Sequence, residues 1–303
     1  MKKNRSLTNG RSLFESQVLY DKLRQILLQQ SVIQADKTTL KVIESEKSKC
    51  YIWLYCTGTD SPESNHTDIP NIVLYDFLES REIQCAIGFL QGHSGYLQVD
   101  GYQGYTAKGA SLAGCWAHAR RKFKEADIAQ SSGEPKADKA TWAMSHIKKL
   151  YRIEALIKDL TPVEKQAYRV EHATPLLVEY KVWLDKSALQ VPPKSALGKA
   201  LAYSLNQWPK LIRYLEDGEL NIDNNRAERA IKPFVIGRKN WLFSNTANGA
   251  HANSILYSIV ETAKANNLIP FDYLHHVINV LSERDDDGAL NELLPWSVSL
   301  QLR

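Results

Sequence analysis

Three acids of this chain, Asp36, Asp100 and Glu228, occupy settings that suit divalent-metal chemistry. Asp36 lies within Ile33 to Val42, whose end alternates as a β-strand does. Asp100 closes Gly95-Tyr96-Leu97-Gln98-Val99 immediately before Gly101, and Glu228 falls among Arg226, Arg229 and Lys232 in a short helix. The acids are 64 and 128 residues apart, so only the fold can unite them. Three carboxylates can hold two Mg²⁺ or Mn²⁺ ions about 3.5–4 Å apart, one activating an attacking oxygen and the other stabilising the leaving oxygen in an in-line displacement at phosphorus. Hard oxygen ligands suit these ions, and without a cation packed carboxylates repel one another. Taken singly, Asp36 reads as a strand-end polar residue, Asp100 as the start of an Asp-Gly turn, and Glu228 as an acid in local ion pairs.

The surroundings of the acids are basic. In the run from Asn221 to Pro233, Asp223 is placed to cap a helix, Ala227, Ala230 and Ile231 to face a core, and Pro233 to oppose its continuation. Arg120, Arg121, Lys122 and Lys124 form one cluster; Arg226, Arg229, Lys232, Arg238 and Lys239 form another. Cys115 and His118 make a Cys-x-x-His pair, but no second pair has the spacing of a closed zinc site, so His118 reads as a hydrogen-bond donor beside the acids or DNA, or as a structural histidine. Trp208, Trp241 and Phe243 are candidates for stacking on unpaired bases or for the core.

The elements that must hold these residues are legible as patterns. Leu19, Leu23, Ile26 and Leu27 predict an amphipathic helix after a polar, loose stretch over residues 1–14. Strands follow at Ile33 to Val42, Cys50 to Cys56 and Asn71 to Tyr75, then a helix marked by Ile83, Ala86, Ile87 and Leu90. A fourth strand ends at Asp100, a short helix covers Tyr102 to Ala107, a fifth strand runs near Ser111 to Trp116, and a basic helix spans about Ala117 to Asp127. This order, three strands, helix, strand, helix, strand, helix, is that of a ribonuclease-H-like α/β fold with a mixed five-stranded sheet. Beyond residue 129 the strand signal ends. Helices are predicted over Ala140 to Leu160, Pro162 to Leu184 and Ala196 to Leu215, with turns at Ser131 to Pro135 and Val191 to Lys194. The Asp223 helix, a short Asn240 to Phe243 segment, and helices over Ala252 to Ala265 and Phe271 to Leu281 complete the chain. The implied organisation is an N-terminal tail and helix (1–30), the first part of a catalytic core (31–128), an all-helical insertion (129–219) before the last catalytic helix, and the second part of the core with C-terminal helices (220–303).

With 303 residues, 44% of them apolar, the chain can bury a sizeable core. A net charge of +4 is only mildly basic, so a nucleic-acid partner is argued from the clusters rather than the total. Four cysteines without CxxC spacing fit a reducing compartment, and neither a signal peptide nor a membrane span is recognisable; a cytoplasmic protein with no membrane partner is expected.

The sequence resembles the catalytic C-terminal portion of the insertion-sequence-66 family of bacterial transposases, a branch of the DDE transposases. The likeness runs through Ala35-Asp36-Lys37-Thr38, Leu97 to Tyr105, Cys115 to Phe123, Leu201 to Trp208, Asn221 to Phe243 and Leu293-Leu294-Pro295-Trp296. It implies that Asp36, Asp100 and Glu228 are the catalytic, metal-holding acids, with two Mg²⁺ or Mn²⁺ ions. It also implies cleavage of transposon ends and transfer of the freed 3′-hydroxyl into target DNA, in a homo-oligomer with accessory proteins of the same element. Arg120, Arg121, Lys122, Arg226, Arg229, Arg238 and Lys239 would then contact DNA phosphates. Two departures stand out: Lys37 replaces the Glu that commonly follows the first aspartate, and only 35 residues precede Asp36 where the family usually has a long N-terminal region. They leave two alternatives, a truncated and catalytically inactive DNA-binding remnant, or a metal-dependent nuclease of the same fold.

Overall fold

The computed structural model describes residues 3–47, 49–60, 62, 69–80, 88–101, 109–130, 139–283 and 287–298. The expected helix around Tyr102 to Ala107 and the turn at Ser131 to Pro135 lie outside these residues, as does most of the helix expected near Ile83. The fold is α/β with a mixed sheet of five strands. The chain divides into two compact units. Met1–Gly95, Thr106–Gly109 and Arg226–Arg303 form the first, and Tyr96–Tyr105 with Ala110–Asn225 the second.

In the first unit, helix α1 (Lys3–Leu28) precedes β1 (Val32–Leu40), β2 (Cys50–Thr57) and β3 (Ile72–Leu78). The helix begins well before the expected position: residues 3–14, expected to be loose, are helical. Leu19, Leu23 and Leu27 are fully buried one turn apart, and this docked face supplies the costly nucleus. Extension then adds one hydrogen bond per residue through a stretch free of proline. The three strands pair antiparallel in the order β3-β2-β1, with Asp36 opposite Leu54, Lys37 opposite Trp53 and Tyr55 opposite Leu74. Almost every residue of β2 is buried, as its place between two strands demands.

The rest of this unit comes from the far end of the sequence. Helix α6 (Asn225–Ala230) is a single short segment separated by Ile231 from α7 (Lys232–Trp241), whose first turn contains Pro233. Pro233 therefore ends one helix and opens the next, since its ring fixes φ at a helical value but removes a donor. Ala227, Ala230 and Ile231 are buried with Phe234 against Ile52, Leu54, Val73 and Tyr75. Helices α8 (Ala247–Ala265), α9 (Pro270–Glu283) and α10 (Asp287–Glu292) follow.

Helix α8 covers β3 through hydroxyl groups. The Val73 amide donates to Thr262 Oγ1 at 3.0 Å and the Tyr75 amide to Ser258 Oγ at 2.7 Å, while the Thr262 hydroxyl donates to the Val73 carbonyl at 2.8 Å. Asn71 Nδ2 and the Ala265 carbonyl add a further bond at 2.9 Å. The match is geometric: two strand residues span about 6.6 Å and four helical residues about 6 Å. Ladder groups of β3 that would otherwise await another strand are thereby satisfied.

The second unit opens with two short parallel strands, β4 (Tyr96–Gln98) and β5 (Ser111–Ala113), in which Leu97 faces Leu112. The fifth strand is shorter than expected. At Gly114 the chain turns onto the end of a later helix, donating to the Lys210 carbonyl at 2.9 Å, and Trp116 becomes the first residue of α2 (Trp116–Gln130). The Trp116 indole donates to the Leu211 carbonyl at 2.9 Å.

Helices α3 (Lys139–Leu156), α4 (Pro162–Ala188) and α5 (Ala196–Leu211) follow, with a 3₁₀ turn at Ile212–Leu215. A capping box of Thr161 and Glu164 starts α4. Trp116, Phe123, Trp142, Tyr180, Trp183 and Trp208 form one aromatic cluster at its centre, which assigns Trp208 to packing. In the first unit, Trp241 packs edge-on against Phe234, whereas Phe243 is exposed.

Candidate functional site

Asp36 lies in the middle of β1, half-buried, with Oδ1 accepting the Lys37 backbone amide at 2.7 Å. Two residues earlier, and so on the same strand face, the buried Gln34 side chain accepts the Ala227 amide through Oε1 at 3.4 Å. This bond sets α6 against β1, and the next residue of α6 is Glu228, also half-buried. Asp36 and Glu228 thus belong to neighbouring parts of one unit, joined through Gln34. Lys37 goes the other way: its ammonium is 5.1 Å from the ring centroid of Trp53, its cross-strand partner. Alternation of side chains along the strand directs Lys37 to the face opposite Asp36.

The basic residues near Glu228 are engaged locally. Arg226 Nη1 and Arg229 Nε donate to the two oxygens of Asp60, at 3.0 and 2.6 Å. Arg226 is buried at 8% exposure, while Arg229 is exposed. Arg238 Nη1 donates to Thr38 Oγ1 at 2.9 Å and to the Thr39 carbonyl, tying α7 to the end of β1; Lys239 is exposed. Burial pushes the Cys56 thiol up to about 11, with Arg226 opposing and Asp60 and Asp36 adding to the rise. All of these charges act on one buried point opposite Gln34.

In the second unit, the Val99 amide extends the β4–β5 pairing by bonding the Ala113 carbonyl at 3.0 Å, and Asp100 follows just outside the strand. Gly101 then lies against Tyr203 of α5. A Cβ there would stand 2.5 Å from the tyrosine ring and its hydroxyl, so any larger residue would push Tyr203 aside. The Tyr203 phenol is held well above its ordinary pKa, first by burial, then by Cys115 and Asp100, against the Gly101 amide that bonds it and the Arg121 charge.

Cys115 is buried, its thiol pushed up to about 12 by burial, and Sγ accepts the Asn224 amide at 3.3 Å. His118 is half-buried in the first turn of α2. Asp223 meets the start of α6: its Oδ1 accepts the amide of Asn225, the first helical residue, at 3.0 Å, which satisfies a donor with no partner inside the helix. Its other oxygen takes the Tyr151 hydroxyl at 2.8 Å and Asn225 Nδ2 at 2.7 Å.

Along α2, Arg120, Arg121 and Lys124 share one face, while Lys122 pairs with Glu125 at 3.2 Å. Lys148 and Tyr151 of α3 line the same cavity, of about 540 Å³. Reading the basic residues as a contiguous run selects Lys122 over Lys124 and misses Lys148. Reading them at helical spacing, three or four residues apart, separates Lys122 from Arg120, Arg121 and Lys124. Gln34, Asp60 and Tyr203 carry no such signal, because their roles depend on partners more than 100 residues away.

Comparison with known proteins agrees with the motifs. The chain belongs to the IS66 family of transposases: the model of that transposase family matches residues 9–252, and that of the IS66 C-terminal element matches residues 258–296. Similar proteins include three from Sinorhizobium fredii. Uncharacterized protein y4qI is 32% identical over an alignment of 299 positions that covers 94% of this chain and 54% of the relative. Uncharacterized protein y4jD is 31% identical, over 92% of this chain and 56% of the relative, and y4hP is 30% identical, over 87% and 50%. The chain therefore spans about half the length of the curated relatives it matches. No solved structure matches. Among the described residues, no helix is long and apolar enough to cross a membrane.

Proposed function

We propose that this chain is the catalytic portion of a DDE-type transposase with a ribonuclease-H-like core, in which Asp36, Asp100 and Glu228 hold Mg²⁺ or Mn²⁺ for cleavage at transposon ends and strand transfer into target DNA. The observation that carries the reading is the bond from the Ala227 amide to Gln34, which joins the Glu228 helix to the Asp36 strand within a chain of this family. The residues fit a hard cation: the donors are carboxylates, Asp36 and Glu228 are half-buried, and Lys37, the cation next to Asp36 in sequence, lies over Trp53 on the other strand face. When bound, the ions would supply activation of the attacking oxygen and stabilisation of the leaving one.

The chain's own contribution is positioning. Gln34 fixes the helix that carries Glu228, and Gly101 with Tyr203 fixes the turn that carries Asp100. In the first step water attacks the phosphodiester at the element's end and frees a 3′-hydroxyl. In the second that hydroxyl attacks a target phosphodiester, displacing a target 3′-oxygen. Neither step needs a covalent protein intermediate.

The test combines purified protein, Mn²⁺ and labelled transposon-end DNA. Cleavage and joined product are expected, with Asp36→Asn, Asp100→Asn and Glu228→Gln each lowering both by about 100-fold or more, since residues that only support metal ligands already cost 10–100-fold. Mn²⁺ should also raise the melting temperature of the parent and not of Asp100→Ala. Cleavage without joining would identify a nuclease instead, and an unchanged melting temperature in the parent would sink the three-acid site.

A further inference from the structure

The cavity between α2 and α3 in the second unit has an unusual charge balance. Arg120, Arg121 and Lys124 enter it from α2 and Lys148 from α3, and none of the described residues that line it is acidic. Glu125 pairs with Lys122, Asp127 accepts the Thr141 hydroxyl at 3.1 Å, and Asp223 accepts from Tyr151 and Asn225. Four like charges lining about 540 Å³ of accessible space favour the entry of an anion. Arg120, Arg121, Lys124 and Lys148 are all exposed to solvent. Helix geometry sets their spread. Arg120 and Lys124 are one turn, about 6 Å, apart, a span suited to successive groups of an extended polyanion better than to one small ion. Arg121 also acts on Tyr203, the residue against which the Asp100 turn is packed.

We infer that this cleft binds the phosphodiester backbone of DNA, with Lys148 and Lys124 as contacts alongside Arg120 and Arg121. Helix α3 is then a DNA-contacting element and not only a spacer between parts of the chain. Tyr151 supports it, because its hydroxyl is committed to Asp223 and its ring forms part of the wall. The inference rests on the reading of the chain as a DNA phosphoryl-transfer enzyme, but its test involves no chemistry.

The experiment is fluorescence anisotropy of the full chain with a labelled DNA duplex, over a range of salt, in EDTA. Each phosphate contact contributes about 0.9 to the slope of log affinity against log salt. Lys148→Ala and Lys124→Ala should each reduce the slope by about that amount and together by about twice it, while Lys148→Arg restores it. Lys158→Ala, at an exposed lysine beside Asp159, is the control for net charge. A Lys148→Ala slope no lower than that of Lys158→Ala overturns the inference, as does an RNA duplex bound as tightly as DNA. Failure here leaves the Mn²⁺-dependent rise in melting temperature intact, whereas failure of the three-acid site leaves the salt slope intact, so the two outcomes are separable.

Discussion

Asp76 shows how a single residue of β3 can work against stability. Burial raises its carboxyl to about 6, and the charges of His251 and Arg24 only partly offset this. An acid with a raised folded pKa reverses the usual pH trend. Below about pH 3.8 both states are protonated and Asp76 contributes nothing. Between there and about pH 6 the unfolded chain ionises first, so stability falls as pH rises, and above about 6 the loss is complete. Two pH units correspond to about 3 kcal/mol. Asp76→Asn should therefore be more stable than the parent at pH 8 by about 1–3 kcal/mol, with no gain at pH 4, as read by urea unfolding. A constant difference across that range would mean that ionisation is not the cause. Elsewhere the sequence already hinted at a residue's role: Lys37 alternates with Asp36 on a strand, and its place over Trp53 follows from that period. Asp60 gave no hint, since an isolated acid in a polar loop does not disclose that it will bind two arginines more than 160 residues later.

At the scale of elements, the long helices and the three antiparallel strands were legible because their apolar periods are unbroken over many residues. The short β5 was placed but overextended, because a continuous apolar run does not reveal that Gly114 leaves the sheet for Lys210. Helix α8 was recognisable as a helix, yet its task was not. Ser258 and Thr262 look like ordinary small residues until the ladder groups of β3 are set beside them. Thr262→Val preserves shape and removes both bonds to Val73. Burying an unsatisfied amide and carbonyl should cost about 1–3 kcal/mol each, less whatever relaxation recovers. Thr262→Val combined with Ser258→Ala should lower the urea midpoint further and increase light scattering on warming, as β3 is offered to other chains. Equal scattering by parent and double variant would show that the hydroxyls do not protect the strand.

For the molecule as a whole, the sequence disclosed the family more readily than it disclosed the two compact units. Motifs are local, whereas the first unit is assembled from segments at both ends of the chain. Its core joins Ile52 and Tyr75 with Ala227, Phe234 and Ala250, contacts that no window of sequence contains. A chain ending at Asn225 lacks one side of that core. It should show neither a cooperative urea transition assignable to Trp53 nor a soluble state at concentrations where the full chain is clear. A soluble, cooperatively folding 1–225 fragment would contradict the discontinuous core.

The hydroxyl cover on β3 also has a consequence in time. During synthesis β3 leaves the ribosome long before Ser258 and Thr262 exist, with more than 180 residues between the bonded partners. At about 5–20 residues per second that interval lasts roughly 9–36 s. Throughout it the amides of Val73 and Tyr75 lack their native partners, so the nascent chain depends on slow encounter with neighbours, or on a chaperone, until its own helix arrives.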